Sequence, residues 1–74
     1  MYTVVGYDKD NDIYIVLDSE YTLSIDAKMY AKELIPLLYG GQLLTENEEP
    51  IDWIEIYYDY NGENETMVWA SYDN

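Results

Sequence analysis

The 74-residue sequence contains no cysteine, no histidine and no arginine. Without cysteine or histidine, the chain has no thiol nucleophile and no imidazole base, and it lacks the usual ligands of zinc and iron–sulfur centres. Without arginine, it lacks the planar group that binds phosphate through two parallel hydrogen bonds. The absence of cysteine also excludes a disulfide-stabilised fold and is typical of a reducing compartment. We therefore expect no metal and no cofactor.

Long apolar segments are missing as well. No window approaches the roughly 20 apolar residues that a helix needs to cross a bilayer. The first six residues have neither the basic region nor the apolar region of a secretory signal peptide. We therefore expect a cytoplasmic protein without a membrane partner.

Positive charge is scarce, because three lysines stand against sixteen aspartate and glutamate residues, which gives a net charge of −13. Nucleic-acid binding depends on cationic contacts to phosphate, so this charge predicts no direct nucleic-acid partner. The chain is nevertheless 49% hydrophobic and contains ten tyrosines and two tryptophans, a composition that disordered acidic tails lack. At this length we expect residues 1–74 to form a single domain with a small core.

The hydrophobic pattern predicts an α+β fold. Runs rich in β-branched and aromatic residues predict strands over 2–7, 13–17, 51–60 and 66–72. Between them, Ser24 is a candidate N-cap, and Gly40-Gly41 is expected to end the helix that follows. One face of this helix carries apolar residues at helical spacing: Ala27, Tyr30, Ala31, Leu34 and Leu38. The predicted order is β-β-α-β-β, with an antiparallel sheet of about four strands packed on one helix.

The third predicted strand has two different faces, because side chains alternate along a strand. Ile54, Ile56, Tyr58 and Tyr60 share one face, which we expect to pack on the helix. The other face carries Trp53, Glu55, Tyr57 and Asp59 and is expected to meet water or a partner, since one helix covers only one side of a sheet. An Asn-Gly pair at 61–62 predicts a hairpin turn that places Ile56 opposite or diagonal to Met67 and Ile54 near Trp69 on the same side.

Every charged side chain in the second half of the chain is acidic. From Glu33 onward there are ten acidic residues and no basic one. We expect most of them to be exposed, because burying an unpaired carboxylate is costly. Trp53 and Tyr57 are the predicted apolar anchors of a partner-binding surface. The charged contacts of that surface are predicted to come from Glu46, Glu48, Glu49, Asp52, Glu55, Asp59, Glu63 and Glu65.

In size, charge, lack of cysteine and element pattern, the chain resembles the small acidic inhibitors made by phages and mobile elements. That class includes anti-CRISPR proteins, anti-restriction DNA mimics and inhibitors of uracil-DNA glycosylase. The resemblance implies a non-enzymatic inhibitor that binds the basic nucleic-acid-binding surface of a protein such as a nuclease. It acts there as a partial DNA mimic, in the host cytoplasm if a phage encodes it. No residue role is transferred from the class.

Three other interpretations remain open. The chain could be a general acidic interaction or regulatory module that pairs through a sheet edge. Its surface charge could instead reflect halophilic adaptation. A small enzyme is the least supported alternative, because nothing in the sequence surrounds its carboxylates with a cleft. A homodimer is compatible with so small a core, which leaves one sheet face uncovered.

The motif Asp8-x-Asp10-x-Asp12 is similar to the start of a calcium-binding loop. An EF-hand loop needs glycine at its sixth position and glutamate at its twelfth, and here Ile13 and Ser19 occupy those positions. The sequence therefore favours an acidic hairpin turn over a calcium site.

Overall fold

The computed structural model describes residues 1–73, and these form one four-stranded antiparallel sheet with a helix on one side. The strand order across the sheet is β2-β1-β3-β4. This arrangement confirms the predicted α+β fold and the predicted order of elements. In chain order the elements are β1 (Tyr2–Asp8), β2 (Ile13–Tyr21), α1 (Ser24–Tyr39), β3 (Trp53–Tyr58) and β4 (Thr66–Ala70), followed by a short 3-10 turn at Ser71–Asp73.

The main core lies between α1 and the two central strands. Ala27 and Ala31 on the helix are fully buried against Val4 of β1 and against Ile54 and Ile56 of β3. Small alanine side chains at the centre of the helical stripe let the helix approach the sheet closely. The predicted stripe is confirmed, with Leu38 buried and with Tyr30 and Leu34 partly buried at its border.

The connection between α1 and β3 is held to the sheet by a close contact at Gly6. A Cβ atom on Gly6 would lie 2.9 Å from both Cγ2 and Cδ1 of Ile51, which is buried. The neighbouring Asp52 donates its backbone N–H to the Tyr7 carbonyl at 2.8 Å. Glycine at position 6 therefore makes room for the chain segment that leads into β3.

The two ends of α1 differ in how well the sequence predicted them. Ser24 is already the first helical residue, and Leu23 in extended conformation precedes it without a side-chain cap, so the prediction of Ser24 as N-cap was wrong. The helix ends where it was expected to end, with Gly40 as the C-cap and Gly41 at a φ of 69°. Along residues 1–73 no helix is both long and apolar enough to span a membrane.

The connection between β3 and β4 is a seven-residue loop over 59–65, two residues longer than the predicted 61–65, because β3 ends at Tyr58 and not at Tyr60. Asp59 and Asn61 adopt positive φ angles of 51° and 64°, which turn the chain earlier than expected. The Asp59 carboxylate accepts the backbone N–H of Asn64 at 2.9 Å and fills the space beside Gly62. The loop is thus organised around an aspartate side chain.

The register of β3 with β4 follows from the length of this loop. Ile56 pairs with Trp69 and Tyr57 pairs with Met67, with an irregularity between the two pairs. Met67 is therefore diagonal to Ile56, which is one of the two positions expected for it.

Candidate binding face

The open face of the sheet, meaning the face turned away from α1, carries the side chains that alternation assigned to it on β3. Trp53, Glu55 and Tyr57 lie there, while Ile54 and Ile56 point into the helix-side core. Tyr60 was predicted on the helix side, and that prediction was wrong. Its ring centroid lies 5.5 Å from that of Tyr57, because β3 ends at Tyr58 and the chain turns at Asp59.

Aromatic rings cover much of the open face. Tyr7 on β1 stacks on Trp53 with a centroid distance of 4.7 Å, and its other neighbour, Tyr14 on β2, lies at 4.8 Å. Tyr72 meets Trp53 edge-on at 5.5 Å. Together with Tyr57 and Tyr60, these rings come from five different segments that the fold brings together. We call this set the aromatic layer: Tyr7, Tyr14, Trp53, Tyr57, Tyr60 and Tyr72.

Glu55 lies beneath this layer and is only 4% exposed, so the prediction that it is an exposed contact residue was wrong. Its Oε2 accepts hydrogen bonds from Trp53 Nε1 at 3.1 Å and from the Tyr72 hydroxyl at 3.3 Å. The Tyr57 hydroxyl donates to Oε1 at 2.8 Å. Burial is tolerated because these donors replace the water that the carboxylate loses.

Within residues 1–73, the three side chains that donate to Glu55 are neutral groups. Lys9 lies in the turn between β1 and β2, beside Asp52, while Lys28 and Lys32 lie on α1 at the opposite side of the sheet. The open face therefore contains a buried negative charge that its hydrogen-bond donors stabilise but do not neutralise.

One end of the open face is bordered by three aspartates. The Tyr7 hydroxyl donates to Asp12, and this hydrogen bond is the main reason why the pKa of Tyr7 rises to about 12. Asp52 adds to this shift through its charge, and its Oδ2 accepts the Lys9 backbone N–H at 2.7 Å. Asp73 contributes to a raised pKa of Tyr72, whose main cause is loss of solvent.

The predicted residues Glu46, Glu48 and Glu49 lie near this end of the sheet, in the loop before β3, but Ile51 of the same connection packs with Ala27 in the helix-side core. Glu49 Oε2 accepts a hydrogen bond from Asn11 Nδ2 at 2.6 Å, which joins this loop to the turn between β1 and β2. Within the loop, Thr45 Oγ1 accepts the backbone N–H of Glu49 at 3.2 Å. Glu46 and Glu48 are exposed, as predicted.

The predicted residues Asp59, Glu63 and Glu65 lie at the other end of the open face, in the loop after β3. Glu65 Oε2 accepts the backbone N–H of Asn61 at 2.6 Å. The charge of Glu65 helps to raise the pKa of Tyr60, for which desolvation is the larger cause. This second acidic end therefore also borders the aromatic layer.

The ten residues predicted to bind a partner thus form three groups along β3. Acidic groups occupy both ends, and Trp53, Glu55 and Tyr57 lie between them. The six residues of β3 span about 17 Å at a rise of about 3.3 Å per residue. Sequence reasoning missed Tyr7, Tyr14 and Tyr72. Tyr7 and Tyr14 could have been predicted as neighbours, because a turn over 9–12 places positions 7 and 14 opposite each other.

Two of the three aspartates in the calcium-like motif accept hydrogen bonds from neighbouring residues. Asp8 is almost fully buried and accepts the Asp10 N–H at 3.1 Å and Asn11 Nδ2 at 2.7 Å, while Asp12 accepts from Tyr7. Within residues 1–73, no three acidic side chains are arranged to hold a metal ion. The acidic-turn interpretation of the motif is therefore the one that the contacts support.

Alkaline pH is expected to destabilise the fold through the tyrosines. Hydrogen bonds to Asp12 and Asp18 raise the pKa values of Tyr7 and Tyr21 from 10 to about 12. Their stabilising effect is complete below pH 10 and is lost as the pH rises towards 12, since the unfolded chain releases these protons first. Urea unfolding at increasing pH should therefore show a falling free energy of unfolding over this range.

The control for this prediction is Asp12→Asn, which removes the charged acceptor of Tyr7. Tyrosinate absorbance should then show one more tyrosine ionising near pH 10 than in the parent chain. A single titration step near pH 10 for all tyrosines of the parent chain, with no change of stability above it, would contradict the assignment.

No protein-family model, no curated protein sequence and no solved structure matches this chain. The function is therefore inferred from the charge, the burial and the contacts of the open face.

Proposed function

We propose that the protein is a non-enzymatic inhibitor, similar to anti-CRISPR proteins, that binds the basic nucleic-acid-binding surface of a defence or nucleic-acid-processing protein. The observation that carries this proposal is the distribution of charge around the open face. Asp12 and Asp52 border the face at one end and Glu65 borders it at the other, while Lys28 and Lys32 lie on α1. A surface with this pattern attracts a cationic partner.

A protein surface that holds DNA presents lysine and arginine side chains to phosphates. B-DNA carries one negative charge per roughly 1.7 Å of axis, so such a surface has many closely spaced cations. Exposed carboxylates at both ends of the open face can meet the same cations that phosphates would meet. In this sense the protein acts as a partial DNA mimic and excludes nucleic acid from its partner.

Residues of the proposed interface have different roles. The charged contacts come from Glu46, Glu48, Glu49 and Asp52 at one end and from Glu63 and Glu65 at the other. Trp53 and Tyr57 supply the apolar contacts, in which large aromatic side chains contribute much of the binding free energy. Asp59 mainly holds its own loop together, since it accepts the Asn64 N–H. Glu55 acts from beneath the aromatic layer and makes no direct contact.

The proposal predicts that the protein displaces DNA from a basic nucleic-acid-binding protein. Labelled duplex DNA is first bound to each member of a panel of nucleases, and the chain is then added at increasing salt concentration. We expect displacement from at least one nuclease at low salt and loss of this effect as salt screens the charges. If the chain displaces DNA from no member of the panel at low salt, the proposal is wrong.

Matched charge reversals separate the position of a charge from the net charge. Asp52→Lys and Glu63→Lys change one acidic end each, and Glu33→Lys makes the same change on α1. We expect each of the first two to weaken displacement about tenfold, which corresponds to about 1.4 kcal/mol. Glu33→Lys should weaken it much less. Equal effects of all three would mean that only net charge matters, and the assigned interface would then be wrong.

A further inference from the structure

We infer that the aromatic layer above Glu55 binds arginine side chains of the partner, with Glu55 as the buried counter-charge. This inference rests on the proposed function and names the chemistry by which its open face recognises a cation. The exposed carboxylates bind at the two ends of the open face, and the aromatic rings with the buried Glu55 form the contact at its centre.

The negative charge of Glu55 beneath the rings is not balanced by the groups that donate hydrogen bonds to it. Glu55 is held by Trp53, Tyr57 and Tyr72, which donate hydrogen bonds but carry no positive charge. A buried carboxylate without a cation costs free energy in the unbound protein. A partner cation that binds over the rings offsets this cost, so the free energy is recovered when the complex forms.

The surface above the Glu55 carboxylate consists of aromatic rings. Tyr72 is 55% exposed, and its ring meets Trp53 edge-on. Cations bind to the faces of tryptophan and tyrosine rings. Because the Tyr57 and Tyr72 hydroxyls donate to Glu55, the carboxylate polarises both rings and raises the electron density on their faces. Both the rings and the carboxylate below them therefore favour a positive ligand.

An arginine side chain fits this aromatic surface better than a lysine side chain does. A guanidinium group is planar, stacks on aromatic rings and is more weakly hydrated than an ammonium group. A second copy of this chain is a poor occupant of the same surface, because each copy carries a net charge of −13 and has no arginine. The ligand that fits the open face is therefore an arginine-rich segment of another protein.

The test uses Glu55→Gln, which keeps the shape of the side chain and removes its charge. An oligoarginine peptide serves as the probe, and an oligolysine peptide of equal length gives the comparison. We expect Glu55→Gln to leave the stability of the protein unchanged or higher, and to weaken oligoarginine binding about tenfold. Glu33→Gln, which removes the same charge from α1, should have little effect.

The Trp53 indole N–H resonance gives a direct readout, because this group donates to Glu55. Oligoarginine should shift it more strongly than oligolysine does. A purely structural role for Glu55 predicts the opposite pattern, in which Glu55→Gln lowers stability and binding is unchanged at temperatures where the variant is folded. That pattern, or equal shifts by both peptides, would overturn the inference.

A second pair of variants decides the matter if Glu55→Gln does not fold. Tyr72→Leu removes a ring of the aromatic layer, and Tyr39→Leu removes a 75% exposed ring on α1. Only Tyr72→Leu should weaken oligoarginine binding. If neither does so while DNA displacement persists, the arginine contact is wrong and the proposed function stands. If DNA displacement fails as well, the proposed function is also wrong.

Discussion

Replacing Ile54 with alanine is expected to lower the free energy of unfolding by about 2–5 kcal/mol, because the change leaves a cavity in a closed core. Ile54 lies on β3 and is fully buried against α1. Domains of this size have a free energy of unfolding near the low end of about 5–15 kcal/mol. The loss is therefore large enough to leave a measurable share of the chain unfolded, and urea titration followed by circular dichroism can quantify it.

Ile25→Ala is the matched control for this prediction. Ile25 is 62% exposed on α1, so the same deletion of atoms creates no cavity there. Its expected effect lies within about 0.5 kcal/mol. Similar losses of stability at positions 25 and 54 would show that the core is not where the structure places it.

Replacing Gly6 with alanine is expected to destabilise the protein by about 1–3 kcal/mol through overpacking. The added methyl group would lie 2.9 Å from two carbon atoms of Ile51, a buried residue of the connection before β3. Relief of this clash requires the connection to move away from β1. The midpoint of urea unfolding should fall accordingly.

A double-mutant cycle tests the assigned cause. Ile51→Ala removes both carbon atoms that the new methyl group would meet, so Gly6→Ala should cost less in that background. Added sulfate favours the compact state and keeps the double variant measurable. Additive effects of the two substitutions would contradict the contact and would instead indicate a backbone requirement for glycine at position 6.

Local patterns were sufficient to predict the elements of this fold. Alternation along 53–57 separated the core residues Ile54 and Ile56 from Trp53, Glu55 and Tyr57, and helical spacing gave the buried stripe on α1. The turn after β3 was not predictable from the Asn-Gly pair, because the Asp59 side chain organises a longer loop through Asn64. Such a side-chain contact depends on the backbone path and leaves no periodic signal.

The candidate site was less predictable, because it combines segments that are distant in sequence. Burial of Glu55 requires Tyr72, which follows β4, and the neighbouring strand β1, which pairs Val5 with Glu55. Neither contact follows from the alternation of β3 alone. The separation of the acidic residues into two ends likewise depends on which strands are neighbours, and that order is a property of the whole sheet.

The border strand β4 gives the acidic exterior a second consequence. β4 lies at one side of the sheet and contains neither lysine nor proline, and Met67 and Val68 on it are exposed. A border strand of this kind is a template for sheet-to-sheet polymerisation. Mutual repulsion between highly anionic molecules opposes such encounters. The same carboxylates therefore also keep apart molecules whose border strand has no lysine or proline to prevent such pairing.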